Sequence, residues 1–230
     1  MRRYLLIPLL AATVGQVAAL EGVEGLSATF DVISYASQEF SVGYFSDKWS
    51  AGNRYELNFM AQVEPGKVQP SGGLYFFYEE RDWKGNSRNG IQESADYECW
   101  GIGLQGGATI QLLPPERKLM LGLVPYARGG IGYSDMTLKD VIIDDGDLNL
   151  NDDQYSGSSD SARIEVAAGI DLRLVINKKI VFVFGGGVDY WSAADVAFYA
   201  GTGGSGAAVG SNGTFTGTNA WLRLGAGLHF

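Results

Sequence analysis

Apolar and polar side chains alternate with a period of two through most of this chain. In residues 219–230, N-A-W-L-R-L-G-A-G-L-H-F, Ala220, Leu222, Leu224, Ala226, Leu228 and Phe230 share one parity, and Trp221, Arg223, Gly225, Gly227 and His229 the other. Successive strand side chains point to opposite faces, so this is a strand with one greasy face and one polar or small face. Residues 162–176 repeat the pattern most cleanly, with Ile164, Val166, Ala168, Ile170, Leu172 and Leu174 opposed to Arg163, Glu165, Asp171 and Arg173. Ile180, Phe182, Phe184, Val188 and Tyr190 resume the apolar parity opposite Asp189, and Tyr55, Leu57 and Phe59 oppose Arg54 and Glu56. Two glycine-laced segments, 99–112 and 119–133, behave alike, the second with Arg128 on its polar parity. Pro125 lacks the N–H that a ladder needs and predicts a bulge there. From Leu26 to Tyr44 the apolar residues fall mainly on even numbers, including Phe40, while residues 74–83 are aromatic on both parities and leave their faces open.

Counted back from the carboxy-terminus, these segments make eight strands. Short turns near 64–72, 113–118 and 177–179 alternate with longer polar loops at about 46–53, 83–95, 139–160 and 192–218, and the first strand lies somewhere within 25–46. Proline, glycine and asparagine supply the turn chemistry. Strict alternation of short and long connections predicts an all-β, eight-stranded antiparallel up-and-down barrel with both chain ends on the short-turn side. Short turns on one side and long loops on the other are also the asymmetry of an outer-membrane barrel.

Parity alone cannot say which face points outward, since a soluble secreted ligand-binding barrel would carry its greasy face inside. Three features favour a transmembrane barrel. The apolar bands match the roughly 9 to 11 residues that a tilted strand needs to cross hydrocarbon. Aromatics of the greasy parity, Tyr44, Tyr55, Trp100, Tyr133 and Tyr190, gather near the loop ends, where an interfacial girdle would sit. The opposite parity carries Arg54, Glu56, Arg128, Arg163, Glu165, Asp171, Arg173, Asp189 and Arg223, a nearly balanced set able to pair within a narrow lumen.

The first 19 residues read as a cleaved signal peptide, with Arg2 and Arg3 before an apolar run and Val17-Ala18-Ala19 at the cleavage site. The barrel then occupies residues 20–230. Cleavage removes the two arginines from 17 basic residues, leaving 15 against 26 acidic and a net charge near −11, which argues against nucleic acid as a partner. A composition of 33 glycines and only 6 prolines suits many tight strands. With one cysteine, Cys99, and one histidine, His229, there is no disulfide framework and little for metal or acid–base work.

The ending W-L-R-L-G-A-G-L-H-F resembles the carboxy-terminal assembly signal of bacterial outer-membrane proteins, which alternate apolar residues up to a final Phe. Val124-Pro125-Tyr126-Ala127-Arg128-Gly129-Gly130-Ile131-Gly132-Tyr133 resembles a run frequent in small eight-stranded barrels of the OmpA, OmpX and opacity-protein type, and Ala168–Arg173 is similar to their sixth strand. The resemblance implies insertion into the cell outer membrane by the barrel assembly machinery, which would read Leu224, Ala226, Leu228 and Phe230. The chain ends with the barrel, so no peptidoglycan-binding domain of the OmpA kind is expected after it.

Other constellations add little chemistry. Gly101–Gly106 and Gly201–Gly206 both match G-x-G-x-x-G, yet neither opens a helix after a strand, so glycine for packing or loop freedom is the simpler reading. The run D-D-G-D-L-N-L-N-D-D at 144–153 offers oxygens to a hard cation but lacks EF-hand spacing. His229 would lie at the periplasmic end, away from the outer surface where membrane-embedded hydrolases work, and Cys99 reads as a small packed residue. No enzyme activity, metal or cofactor is expected. The leading expectation is a structural or surface-interaction barrel with a plugged lumen, outer-membrane lipid around it and an extracellular ligand for its acidic loops. A small channel for small or apolar solutes is the alternative.

Overall fold

The computed structural model describes residues 23–42, 45–63, 66–88, 91–113, 118–143, 153–196 and 213–230. The expected signal segment 1–19, Tyr44, Pro114-Pro115, most of the Asp-rich run and Gly201–Gly206 lie outside them. Strands occupy β1 (Val23–Val42), β2 (Phe45–Lys48), β3 (Ala51–Val63), β4 (Val68–Arg88), β5 (Ile91–Gln111), β6 (Leu119–Ile143), β7 (Asp153–Ile176), β8 (Ile180–Val196) and β9 (Gly213–His229). β1 pairs antiparallel with both β2 and β3, each later strand pairs antiparallel with the next along the chain, and β1 pairs with β9, which closes the sheet into a barrel. The pairs of β1 with β2 and with β3 follow one another along β1, from Val42↔Phe45 to Ser34↔Asn53, so β2 and β3 are two parts of one barrel strand. The result is a closed eight-stranded up-and-down barrel.

The greasy parity faces outward. Ile164, Val166, Ile170, Phe184, Val188, Leu224 and Phe230 are all exposed, while every charged residue of the opposite parity named above is buried. The same polarity resolves the ambiguous segment in β4, where Tyr75, Phe77, Glu79, Arg81 and Trp83 point inward and Leu74, Tyr78 and Asp82 outward.

Two expectations fail at irregularities. Phe40 shares the even parity of the outward Phe30 and Val32, yet it is buried inside the barrel. The β1–β9 register shifts between Tyr35 and Ser37, so Ala36 is an extra residue and every side chain beyond it changes face. Pro125, by contrast, causes no bulge. The β5–β6 rungs stop at Gly107↔Tyr126 and resume at Ile110↔Leu123 in the same register, and the β6–β7 ladder runs through Pro125↔Ile170 unbroken. The missing donor therefore costs rungs on one side only.

The expected loops also shrink. β4 and β5 extend to Arg88 and from Ile91, β6 and β7 to Ile143 and from Asp153, and β8 and β9 to Val196 and from Gly213, while β2 and the start of β3 occupy most of the expected first loop. At the other end Pro70 is paired with Ala108 inside β4, not part of a turn. Polar composition was a poor guide there, because strands that rise beyond the apolar band are polar outside and aromatic inside. The β7–β8 turn keeps its expected place at Asn177-Lys178-Lys179, with the Lys179 amide donating to the Ile176 carbonyl at 3.0 Å. Asn177 and Lys178 take φ of 53° and 56°, as a type I′ geometry requires. Lysine is a poor occupant of that region, so Lys178→Gly should raise stability by about 0.5–1 kcal/mol in urea titrations of the refolded barrel.

Candidate functional site

Inside the barrel, the side chains are sorted by height. At the long-loop end an aromatic plug joins Phe40, Trp49, Trp83, Tyr97, Trp191 and Phe215. Trp191 and Phe215 meet edge to face at 4.8 Å between ring centroids, and Trp191 also stacks on Tyr97 at 5.5 Å. The Trp191 indole lies so close over Gly217 that a Cβ there would overlap the ring, so this position in β9 accepts only glycine without repacking. Cys99 is fully buried in the same cluster, where it acts as a small packed residue.

Beneath the plug lies a belt of buried charge. Arg54 donates to Glu165 at 2.6 and 2.8 Å, to Glu56 at 2.7 Å and to Glu79 at 3.3 Å. Arg163 donates to Glu79 at 2.9 Å and to Glu165 at 2.9 Å, Arg81 reaches Glu79 at 2.6 Å, and Arg128 holds both oxygens of Glu56 at 2.8 Å. Arg223 carries the belt on to Asp31 at 3.5 Å and into direct hydrogen-bond contact with Asp171. Rings close the gaps, with the Arg54 guanidinium 4.1 Å above Phe77 and that of Arg163 4.7 Å above Trp191. Tyr35 and Tyr75 donate to Glu79 and Glu165 at 2.9 and 3.0 Å.

Of the nine charged residues expected in the lumen, all nine are buried, and seven belong to this belt. Asp189 instead accepts from Asn219, whose own oxygen accepts from Arg81 at 2.7 Å, and Arg173 makes none of these pairs. Three members escape a reading of the sequence: Asp31, Glu79 and Arg81. Asp31 shares the odd parity of β1, and Glu79 and Arg81 lie where aromatics on both parities hid the face. With them the described interior holds six arginines and six carboxylates, so the buried charge is balanced. Arg223 on β9 meets Asp171 on β7, across the intervening β8.

The turn end is polar but weakly charged. Gln62 donates to Thr109 at 2.7 Å, a cavity of about 10 Å³ is lined by these two residues, and one of about 20 Å³ borders the belt at Asp31, Asp171 and Arg223. A single water needs about 10–15 Å³, so neither is a passage. His229 packs against Gly25, where a Cβ would stand 2.8 Å from the imidazole.

On the outer face Tyr55, Tyr78, Trp100 and Tyr133 occupy successive rungs on four neighbouring strands, a continuous aromatic row. Tyr190 stands apart on β8, exposed and paired with Val166. Two residues further toward the loop end, Glu80, Glu98, Asp135 and Asp160 form a second row on neighbouring strands, and Tyr133 donates across to Asp160. A sharp step from aromatic to anionic residues thus marks one limit of the apolar band. The predicted assembly residues Leu224, Ala226, Leu228 and Phe230 all face outward. Phe230 completes the seam, its amide donating to the Leu26 carbonyl at 2.7 Å.

No family model matches the chain, and no curated protein matches it. Solved structures do. The Ail attachment invasion locus protein of Yersinia pestis aligns over 92% of this chain and 100% of its own at 14% identity and a TM-score of 0.38. A major outer membrane protein from Thermus thermophilus aligns over 88% and 99% at 12% identity and 0.41, and Neisserial surface protein A over 89% and 99% at 13% and 0.34. The chain is a closed eight-stranded antiparallel barrel, apolar outside and charge-paired within.

Proposed function

We propose that this protein is an integral outer-membrane barrel whose lumen is plugged and whose role is structural or surface-interacting. One observation carries the reading: among the described residues, six arginines and six carboxylates are buried inside a barrel whose outward face is apolar. Water would have to hydrate that outer face in a soluble protein, whereas lipid covers it without penalty. The outward band of β7 spans residues 164–174, in keeping with the roughly 9 to 11 residues of a tilted membrane strand. The aromatic row lies at the headgroup level and the carboxylate row just beyond it, among the outer leaflet's polar groups. The turn end faces the periplasm, and the barrel assembly machinery inserts the chain by way of its last strand. The loops at the opposite end, including the acidic one, present the surface for an extracellular ligand.

Eight strands leave an interior just wide enough for side chains to fill, and here ion pairs and rings occupy it. The purified barrel in a planar lipid bilayer should therefore show no steady single-channel steps. Reproducible unitary conductance would replace this reading with the small-channel one.

A further inference from the structure

Above the β7–β8 turn the outer face of the barrel is not smooth. Leu121, Leu174, Phe182, Ala226 and Phe30 form one rung across β6, β7, β8, β9 and β1. Ala226 is the smallest side chain of the rung and stands between two rings, so the surface dips there, past Ala226 to Gly225, into an open groove of about 530 Å³. That volume is within the range of small-ligand sites, and no charged side chain lines it.

Beneath the groove the barrel's rim is basic. Lys118, Lys178 and Lys179 are all exposed. The Asn177 amide donates to the Lys118 carbonyl at 2.6 Å and the His229 amide to the Lys179 carbonyl at 2.8 Å, which gathers the three lysines at the turn end of β6, β7 and β8, next to β9. Lys118 precedes Leu121 by three residues and Lys179 precedes Phe182 by three, a rise of about 10 Å from rim to groove. A carboxylate at the Phe230 terminus offsets one of these charges at most. The loop end of the outer face has the opposite sign, with its row of Glu80, Glu98, Asp135 and Asp160.

An uncharged groove that leads onto clustered ammonium groups fits an amphiphile with a hydrocarbon chain and an anionic head. A second copy of the barrel fits less well, since a two-fold contact between copies oriented alike in one membrane would set these lysines against each other. Given the outer-membrane placement proposed above, with the turns toward the periplasm, we infer that this face binds one anionic phospholipid of the periplasmic leaflet. An acyl chain lies over Ala226 between Phe30 and Phe182, and the phosphate meets Lys118, Lys178 and Lys179.

The test uses the refolded barrel in phosphatidylcholine vesicles with and without phosphatidylglycerol. Vesicle flotation and heat-modifiable gel mobility first establish insertion. Spin-labelled lipids then give the relative affinities, and native mass spectrometry after extraction into mild detergent counts the lipids retained. One phosphatidylglycerol should remain per barrel, bound on the order of 100-fold more tightly than phosphatidylcholine, because each lysine near an anionic lipid contributes about fivefold. The triple variant Lys118→Gln, Lys178→Gln, Lys179→Gln should lose the preference, and Ala226→Phe should lose the retained lipid with the lysines in place. If Ala226→Phe does not refold, Ala226→Leu decides by a smaller loss of the same kind. Equal affinity for the two lipids, a preference undiminished in the triple variant, or retention undiminished when the groove is filled overturns the inference. A barrel that floats with vesicles but shows no preference removes the lipid site alone, whereas one that does not float removes the membrane placement with it.

Discussion

Arg54→Met should cost about 3–5 kcal/mol of unfolding free energy, the range for breaking a buried ion pair by removing one partner. Arg54 donates to three carboxylates, and all four side chains are sealed from solvent. Without it Glu165 keeps Arg163, Glu79 keeps Arg163 and Arg81, and Glu56 keeps Arg128, but the described interior then holds six carboxylates against five arginines. Arg54→Lys should recover only part of the loss, since an ammonium cannot reproduce the fork that spans Glu165 and Glu56 together. Urea titration in lipid vesicles, followed by tryptophan emission and heat-modifiable gel mobility, measures both. A loss below about 1 kcal/mol for Arg54→Met would match a solvent-screened pair and so a wet lumen. It would count against the plugged barrel as directly as a conductance step.

Deleting Phe230 should lower the outer-membrane yield several-fold while changing the stability of the refolded barrel by less than about 2 kcal/mol. The contrast follows from what Phe230 contributes to the folded state. Its ring is 60% exposed on the outer face, and its backbone exchanges two hydrogen bonds with Leu26 at the β1–β9 seam, at 2.7 and 3.3 Å. The rest of that seam runs on through paired residues from Ser27↔His229 to Val42↔Phe215 and survives the deletion. A terminal aromatic that matters to insertion more than to the finished barrel is a recognition element for assembly. Membrane fractions of cells expressing the two forms, compared with urea midpoints of the refolded proteins, separate the two effects. Unchanged yield would remove the assembly role from Phe230.

Much of the barrel can be read from the chain because a strand's period of two is local. β7, β8 and β9 show it without interruption, so the faces of Arg163, Glu165, Asp171, Arg173, Asp189 and Arg223 follow from counting alone. The counting fails where a local event breaks the period or where both faces are apolar. A single extra residue, Ala36, turns Phe40 inward. In β4 the inward Tyr75, Phe77 and Trp83 are as hydrophobic as the outward Leu74, Phe76 and Tyr78, which hid Glu79 and Arg81 from a polarity argument. The aromatic plug escaped for a related reason: its members lie in segments whose outward residues are polar, so their strands resembled loops.

The sequence by itself determined the strands, their antiparallel succession and which charged side chains share a face, because those depend on neighbours along the chain. Only the closed barrel decided that the shared face is the inside, since closure requires β1 to meet β9, and curvature then turns one parity inward for all strands together. It also decided which charges meet. Arg54 and Glu165 are 111 residues apart in sequence yet hydrogen-bonded across the lumen, and Arg223 meets Asp171 from 52 residues away. Such pairings depend on register and shear around the whole barrel, which no single strand encodes.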